Sequence, residues 1–296
     1  MKQKVALVLS SGGSKGLAHI GIINELEKQG FEISSVSGSS IGSVIGGLCA
    51  MDKLPEYTEW VKTLNKRIVW DLMDFTLSSN GLIKGEKVFD KMKTFIPDML
   101  IEDMNIPFSA IATDIINEKE VVFSAGSFYE AIRASVAIPS LITPVKYKET
   151  LLVDGGVLNP VPIEYVAREN NDILVVVNLY GNKMNAIINP KIIMEKQEGY
   201  NGAINDFVNG INKFISSGDE KRLGYFSLLN ASTYAMVHKL AKENIKKHQP
   251  DIVINIPFDS ASTFDFHKAD ELIKLGENAA KVAIYEYLTK NNKLLQ

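Results

Sequence analysis

Ile33-Ser34-Ser35-Val36-Ser37-Gly38-Ser39-Ser40-Ile41-Gly42-Ser43-Val44-Ile45-Gly46-Gly47-Leu48-Cys49-Ala50 reads as a strand, a sharp turn and a helix in immediate succession. Ile33 to Gly38 is the strand. Beyond Ser40, the residues Ile41, Val44, Ile45, Leu48 and Cys49 recur at helical spacing along one face. The turn between them, Gly38-Ser39-Ser40-Ile41-Gly42, has the pattern G-x-S-x-G. A nucleophile elbow needs this order, because so tight a turn leaves no room for a Cβ two residues either side of the serine. It would hold the Ser40 hydroxyl above a sheet at a helix N-terminus, where backbone N–H groups favour a developing anion. The pattern is short and common, and an ordinary Ser/Gly turn from strand to helix shares it.

Upstream, Val5-Ala6-Leu7-Val8-Leu9 is a continuous apolar run, the signature of a strand covered on both faces. A Ser/Gly loop follows from Ser10 to Gly16. A helix then runs to about Gln29, with His19, Ile22, Ile23 and Leu26 on its apolar stripe. Strand, helix, strand, helix predicts an α/β fold with parallel strands. Leu54 to Ile96 reads as mostly helical, broken by a loop at Ser78-Ser79-Asn80-Gly81. Phe108 to Ile115 and Glu120 to Phe123 are strand-like and suited to pair as a hairpin. Phe128 to Val136 is a helix; Val145 to Tyr147, Leu151 to Val153, Asp172 to Leu179 and Asp251 to Ile256 are strands. A last helix spans about Lys268 to Leu288, with Leu272, Ile273, Gly276, Ala280, Ala283 and Tyr287 facing inward.

The loop Ser11-Gly12-Gly13-Ser14-Lys15-Gly16 also joins a strand to a helix, and consecutive N–H groups in such a loop can point at one anion. A dinucleotide site would need G-x-G-x-x-G and an acidic residue ending the second strand, which instead ends in Ser37-Gly38. A phosphate loop of the Walker type would need Ser or Thr after Lys15, where Gly16 stands. An oxyanion hole, a phosphate cradle and a plain tight turn remain as readings of the loop. Asp154-Gly155-Gly156 closes the strand Leu151-Leu152-Val153 and puts a carboxylate at a strand end; a hairpin-turn aspartate looks the same. Asp114 also follows a strand but lacks the glycine pair. Of the four histidines, His19 belongs to a core stripe, His248 to a charge-rich helix end, His238 to a long helix and His267 to the approach to the final one. None occupies a small-residue loop after a strand, which argues against a histidine base.

Three ordered motifs, 11–16, 38–42 and 154–156, together resemble the bacterial patatin-like phospholipases. Gly16-Leu17-Ala18-His19-Ile20-Gly21 and Ala134-Ser135-Val136-Ala137-Ile138-Pro139 are similar to that family's flanking segments. The resemblance covers about residues 5–180 well and the remainder loosely. It implies a three-layer fold, a mixed and mostly parallel central sheet flanked by helices. It also implies hydrolysis of lipid acyl esters (phospholipid or lysophospholipid) by a Ser–Asp dyad, with no metal and no cofactor. On this chain Ser40 would be the nucleophile and Asp154 the base. The loop glycines Gly12 and Gly13, with Ile41 after the serine, would form the oxyanion hole. Two positions depart from the family pattern: Ser11 stands where a further glycine is common, and Lys15 where arginine is usual. Lysine keeps the charge but loses the planar fork.

The 296 residues, 46% hydrophobic and 23% charged, have the balance of a soluble globular protein, and a net charge of −3 gives no basic field for nucleic acid. One cysteine cannot form an internal disulfide. The apolar run near the start is too short for a signal peptide and enters a glycine loop, so the expected location is cytoplasmic, with any membrane contact peripheral. A single domain over 1–296 is expected, with 181–217 as a lid segment and 218–296 as C-terminal helices plus one strand. Within the lid segment, Ile204, Phe207, Val208, Ile211, Phe214 and Ile215 form an apolar helical stripe. It would be a helix packed on the core, a cover over the acyl pocket, or an interfacial helix that meets lipid aggregates. Two alternatives are an acyltransferase using the same elbow, and a non-catalytic lipid-binding regulatory protein retaining the fold.

Overall fold

The computed structural model describes residues 2–78, 81–183 and 225–293. The stripe at 203–215 lies outside them. In chain order the elements are β1 (Gln3–Leu9), α1 (Leu17–Lys28), β2 (Phe31–Ser39), α2 (Ile41–Ala50), α3 (Leu54–Lys62), α4 (Lys66–Leu72), β3 (Phe75–Ser78), β4 (Gly81–Ile83) and α5 (Glu86–Lys93). Then come β5 (Phe108–Asp114), β6 (Lys119–Phe123), α6 (Phe128–Ser135), β7 (Val145–Tyr147), β8 (Thr150–Asp154), β9 (Ile173–Gly181), α7 (Tyr225–His248), β10 (Ile252–Pro257) and α8 (Ala269–Lys293).

Eight strands form one mixed sheet in the order β10-β9-β1-β2-β5-β8-β7, with β6 also on β5. From β10 to β5 every pairing is parallel; β6, β8 and β7 add antiparallel pairs. The run Val5–Leu9 is buried on both faces, as its composition predicts. Val5, Leu7 and Leu9 join a cluster with Ile22 and Leu26 of α1, Val44 and Leu48 of α2, and Leu272 and Ile284 of α8. Ala6 and Val8 point the other way, to Val161, Ile163, Val166 and Ala241 of α7. Those two clusters make the helix–sheet–helix layering of the α/β class. On α8 the buried stripe holds Leu272, Ile273 and Ala280 as expected; Ile284 completes it, and Ala283 and Tyr287 lie half-buried at its margin.

The stretch 54–96 is less helical than its pattern suggests. Phe75–Ser78 and Gly81–Ile83 pair as a small ribbon. The N–H groups of Leu82 and Ile83 both donate to the Leu141 carbonyl, 3.1 and 2.9 Å away, so a distant segment holds the ribbon. Among the described residues no helix is long and apolar enough to cross a membrane.

The register around β5 sets up the site. Residues 108–111 of β5 pair with β2, and residues 112–114 pair with β8. The opposite edge of β5 is taken by β6 along 110–114. So β2 and β8 share one edge and run toward each other. Ser39 ends β2 opposite Ile111, and Asp154 ends β8 opposite Ala112.

Candidate active site

Ser40 stands between β2 and α2 with φ 54° and ψ −126°, a conformation that non-glycine residues rarely adopt and that must be held from outside. Its N–H donates to Ser135 Oγ at 2.9 Å, and Ser135 Oγ donates to the Ile111 carbonyl at 2.5 Å. That clamp ties the elbow to the end of α6 and to β5. A Cβ on Gly42 would strike the Leu9 carbonyl, so α2 lies directly on the end of β1. This is the close approach that the G-x-S-x-G spacing anticipates.

The opposed ends of β2 and β8 bring Ser40 and Asp154 together across 114 positions of sequence. Ser40 Oγ donates a short hydrogen bond to Asp154 Oδ2. Asp154 Oδ1 accepts from the Gly156 N–H at 2.7 Å. Both residues are buried, 4% and 6% exposed. Burial pushes the Asp154 carboxyl up to about 6, with the bonds from Ser40 and Gly156 opposing it only in part. Asp114 is in the reverse situation. Burial raises its pKa, but bonds from Thr150, Asn117 and two backbone N–H groups outweigh it and hold the group at about 2. It is a turn-closing carboxylate on β5 whose oxygens are already engaged.

Gly12 and Gly13 lie where the loop passes Ser40, and all three line one cavity. Gly13 has φ +61°, and a Cβ there would come within 2.9 Å of the Thr263 carbonyl. Ser14 N–H donates to that carbonyl at 2.9 Å and Ser11 N–H to Pro160 at 2.9 Å. Between them, the N–H groups of Gly12 and Gly13 meet no protein acceptor among the described residues, and neither does that of Ile41. Three such donors beside one hydroxyl can donate to a developing oxyanion.

Lys15 sits apart from this work. Its side chain is fully buried, its ammonium donates to the Phe258 carbonyl at 3.0 Å, and it faces the Tyr180 and Tyr234 rings at 5.6 and 5.5 Å. Burial lowers its pKa to about 8, although Asp259 pulls the other way. His19 is wholly buried on α1, bonded through Nε2 to the Ser10 carbonyl at 3.0 Å and pushed down to about 4 by burial. His238 stacks on the Tyr180 ring and meets the Phe258 ring at a tilt.

Two cavities meet at Ser40. One is walled by α2, α3, α4 and α5 through Val44, Trp60, Leu72, Phe89 and Met92, with almost no polar surface. The other is lined by Ser11, Asp154, Gly156, Tyr180 and Tyr234. Of the residues around the site, Ser135 and Tyr180 carried no assigned role in the sequence. Ser135 lies in the segment 134–139 already singled out as a motif, whereas Tyr180 had no local signal at all.

A family model described as patatin-like phospholipase matches residues 7–167. An uncharacterised NTE family protein of Mycobacterium tuberculosis is 29% identical, over 95% of this chain and 91% of its own length. A lysophospholipase NTE1 of Candida glabrata is also 29% identical over 95% of this chain, which spans 16% of that longer protein. Among solved structures, VipD from Legionella pneumophila aligns over 97% of this chain and 67% of its own, with 14% identity and a TM-score of 0.48.

Proposed function

Since the chain belongs to the patatin-like phospholipase family, a family whose relatives include lysophospholipases, we propose that it hydrolyses carboxylic acyl esters of lipids through an acyl-enzyme on Ser40. The observation that carries this reading is the hydrogen bond from Ser40 to a buried carboxylate, beside three N–H groups that meet no acceptor among the described residues. Ser40 Oγ attacks the ester carbonyl and its proton passes to Asp154 Oδ2. The oxyanion is received by Gly12, Gly13 and Ile41, each donor being worth about 3 kcal/mol. Asp154 returns the proton to the departing alcohol, and water then repeats the cycle in reverse. With its pKa near 6, Asp154 is ionised at neutral pH and a stronger base than an exposed carboxylate. The apolar cavity along α2 to α5 is suited to the acyl chain, and the cavity shared with Asp154 to the alcohol part. Contact with a membrane or micelle would be peripheral.

The experiment is labelling with a fluorophosphonate, followed by peptide mapping and hydrolysis assays on lysophospholipid, phospholipid and simple esters. Label on Ser40, lost in Ser40→Ala, supports the reading. Label on another serine, or full hydrolysis by a folded Ser40→Ala protein, overturns it.

A further inference from the structure

Ser11 and Tyr180 form a second hydroxyl pair next to the dyad. Their oxygens are 2.6 Å apart, and both residues line the cavity that contains Ser40 and Asp154. Both are almost fully buried, at 4% and 6% exposure. Each is held in place independently of the other. Ser11 is fixed by its N–H bond to Pro160, and Tyr180 by the bond from its N–H to Asn178 Oδ1 at 3.1 Å. The Tyr180 ring also packs against the Lys15 ammonium at 5.6 Å and the His238 ring at 6.3 Å. The pair lies beside Asp154: a Cβ built on Gly156 would lie 2.6 Å from Ser11 Oγ and 3.0 Å from Asp154 Oδ1, so the two oxygens border the same point.

A hydroxyl pair has one proton more than it needs for its internal bond. Burial raises the Tyr180 pKa, so the phenol stays protonated. When it donates to Ser11 Oγ, the Ser11 proton is free to point into the cavity beside Asp154. The alcohol oxygen of an ester bound at Ser40 would leave into this cavity.

Resting on the hydrolase reading above, we propose that Ser11 donates a hydrogen bond to the leaving-group oxygen as the acyl C–O bond breaks, and that Tyr180 positions Ser11 to do so. The pair transfers no proton of its own. The bond from Ser40 Oγ to the acyl carbon is already formed, the bond from that carbon to the alcohol oxygen breaks, and the alkoxide takes the proton that Asp154 received from Ser40. Ser11 stabilises the charge that collects on that oxygen meanwhile. The deacylating water would occupy the same place and give its proton to Asp154.

This role has a signature that a packing role lacks, because help to the leaving group matters only where that group is poor. Ser11→Ala and Tyr180→Phe would be assayed on two esters of the same acyl chain, a glycerol ester and a p-nitrophenyl ester, reading kcat/KM, which reports acylation. The glycerol ester should lose about tenfold or more, the rate equivalent of one hydrogen bond to a developing charge. The nitrophenyl ester should change by less than about threefold. Equal losses on both esters, or no loss on the glycerol ester, overturn the proposal. If Tyr180→Phe melts early, Ser11→Ala and Ser11→Gly decide the matter, since neither removes ring packing. A wild-type protein inert on both esters overturns the hydrolase reading as well, whereas an active wild type with insensitive variants overturns only this inference.

Discussion

Asp154→Asn should leave the protein more stable at neutral pH while removing its proposed base. The Asp154 carboxyl is buried beside β2, and burial raises its pKa from an ordinary value of about 3.9 to about 6. Two units at about 1.4 kcal/mol each correspond to ~3 kcal/mol of folding stability missing when the group is ionised. Between about pH 4 and pH 6 the native state keeps a proton that the unfolded chain has released. Stability therefore declines as pH rises through that window, and the loss is complete above it. Asparagine keeps the shape without the charge. Its amide oxygen can take the Gly156 N–H bond, and its NH2 faces the Ser40 hydroxyl. Urea unfolding of both proteins at pH 4, 5, 6 and 7.5 measures the difference. The variant should exceed the wild type by about 1–3 kcal/mol at pH 7.5, and the two should converge near pH 4. A variant that is equal or weaker at pH 7.5, with no trend across the series, would refute the desolvation argument. The same ionisation should appear in wild-type kcat/KM, rising about tenfold per pH unit up to about pH 6 and level above.

Ser135→Ala leaves the buried Ser40 N–H without its acceptor, so it should cost about 1–3 kcal/mol in denaturant unfolding and lower kcat several-fold by loosening the elbow. Gly13→Ala forces a side chain at φ +61° against the Thr263 backbone, whereas the added methyl of Gly12→Ala meets the Leu179 side chain, Cβ included, without a left-handed backbone. Assays of kcat/KM should show Gly13→Ala losing about a hundredfold, and more than Gly12→Ala. Replacing His238, His248 and His267 together should leave kcat within about an order of magnitude, because Ser40 takes its hydrogen bond to a carboxylate; collapse in a folded variant would restore histidine as the base.

The sequence alone determined whatever depends on neighbouring residues. A turn that folds α2 onto the end of β1 leaves no space for a Cβ at Gly42, and the left-handed backbone of Gly13 favours glycine. Such local demands leave a printed mark, which is why the loop 11–16, the elbow 38–42 and the α/β pattern were legible. The burial of Val5–Leu9 on both faces was legible for the same reason. The residues read without the family resemblance, which points to Asp154, left open which carboxylate meets Ser40. Asp114 and Asp154 both end strands, and the three-dimensional structure gives the physical difference between them: four hydrogen-bond donors engage one, and the convergence of β2 and β8 on one edge of β5 delivers the other. Ser135 beneath the elbow and Tyr180 beside Ser11 belong to the same class. Their partners lie 95 and 169 positions away, and pairings at that distance are set by sheet register and helix packing, which no local run of residues encodes.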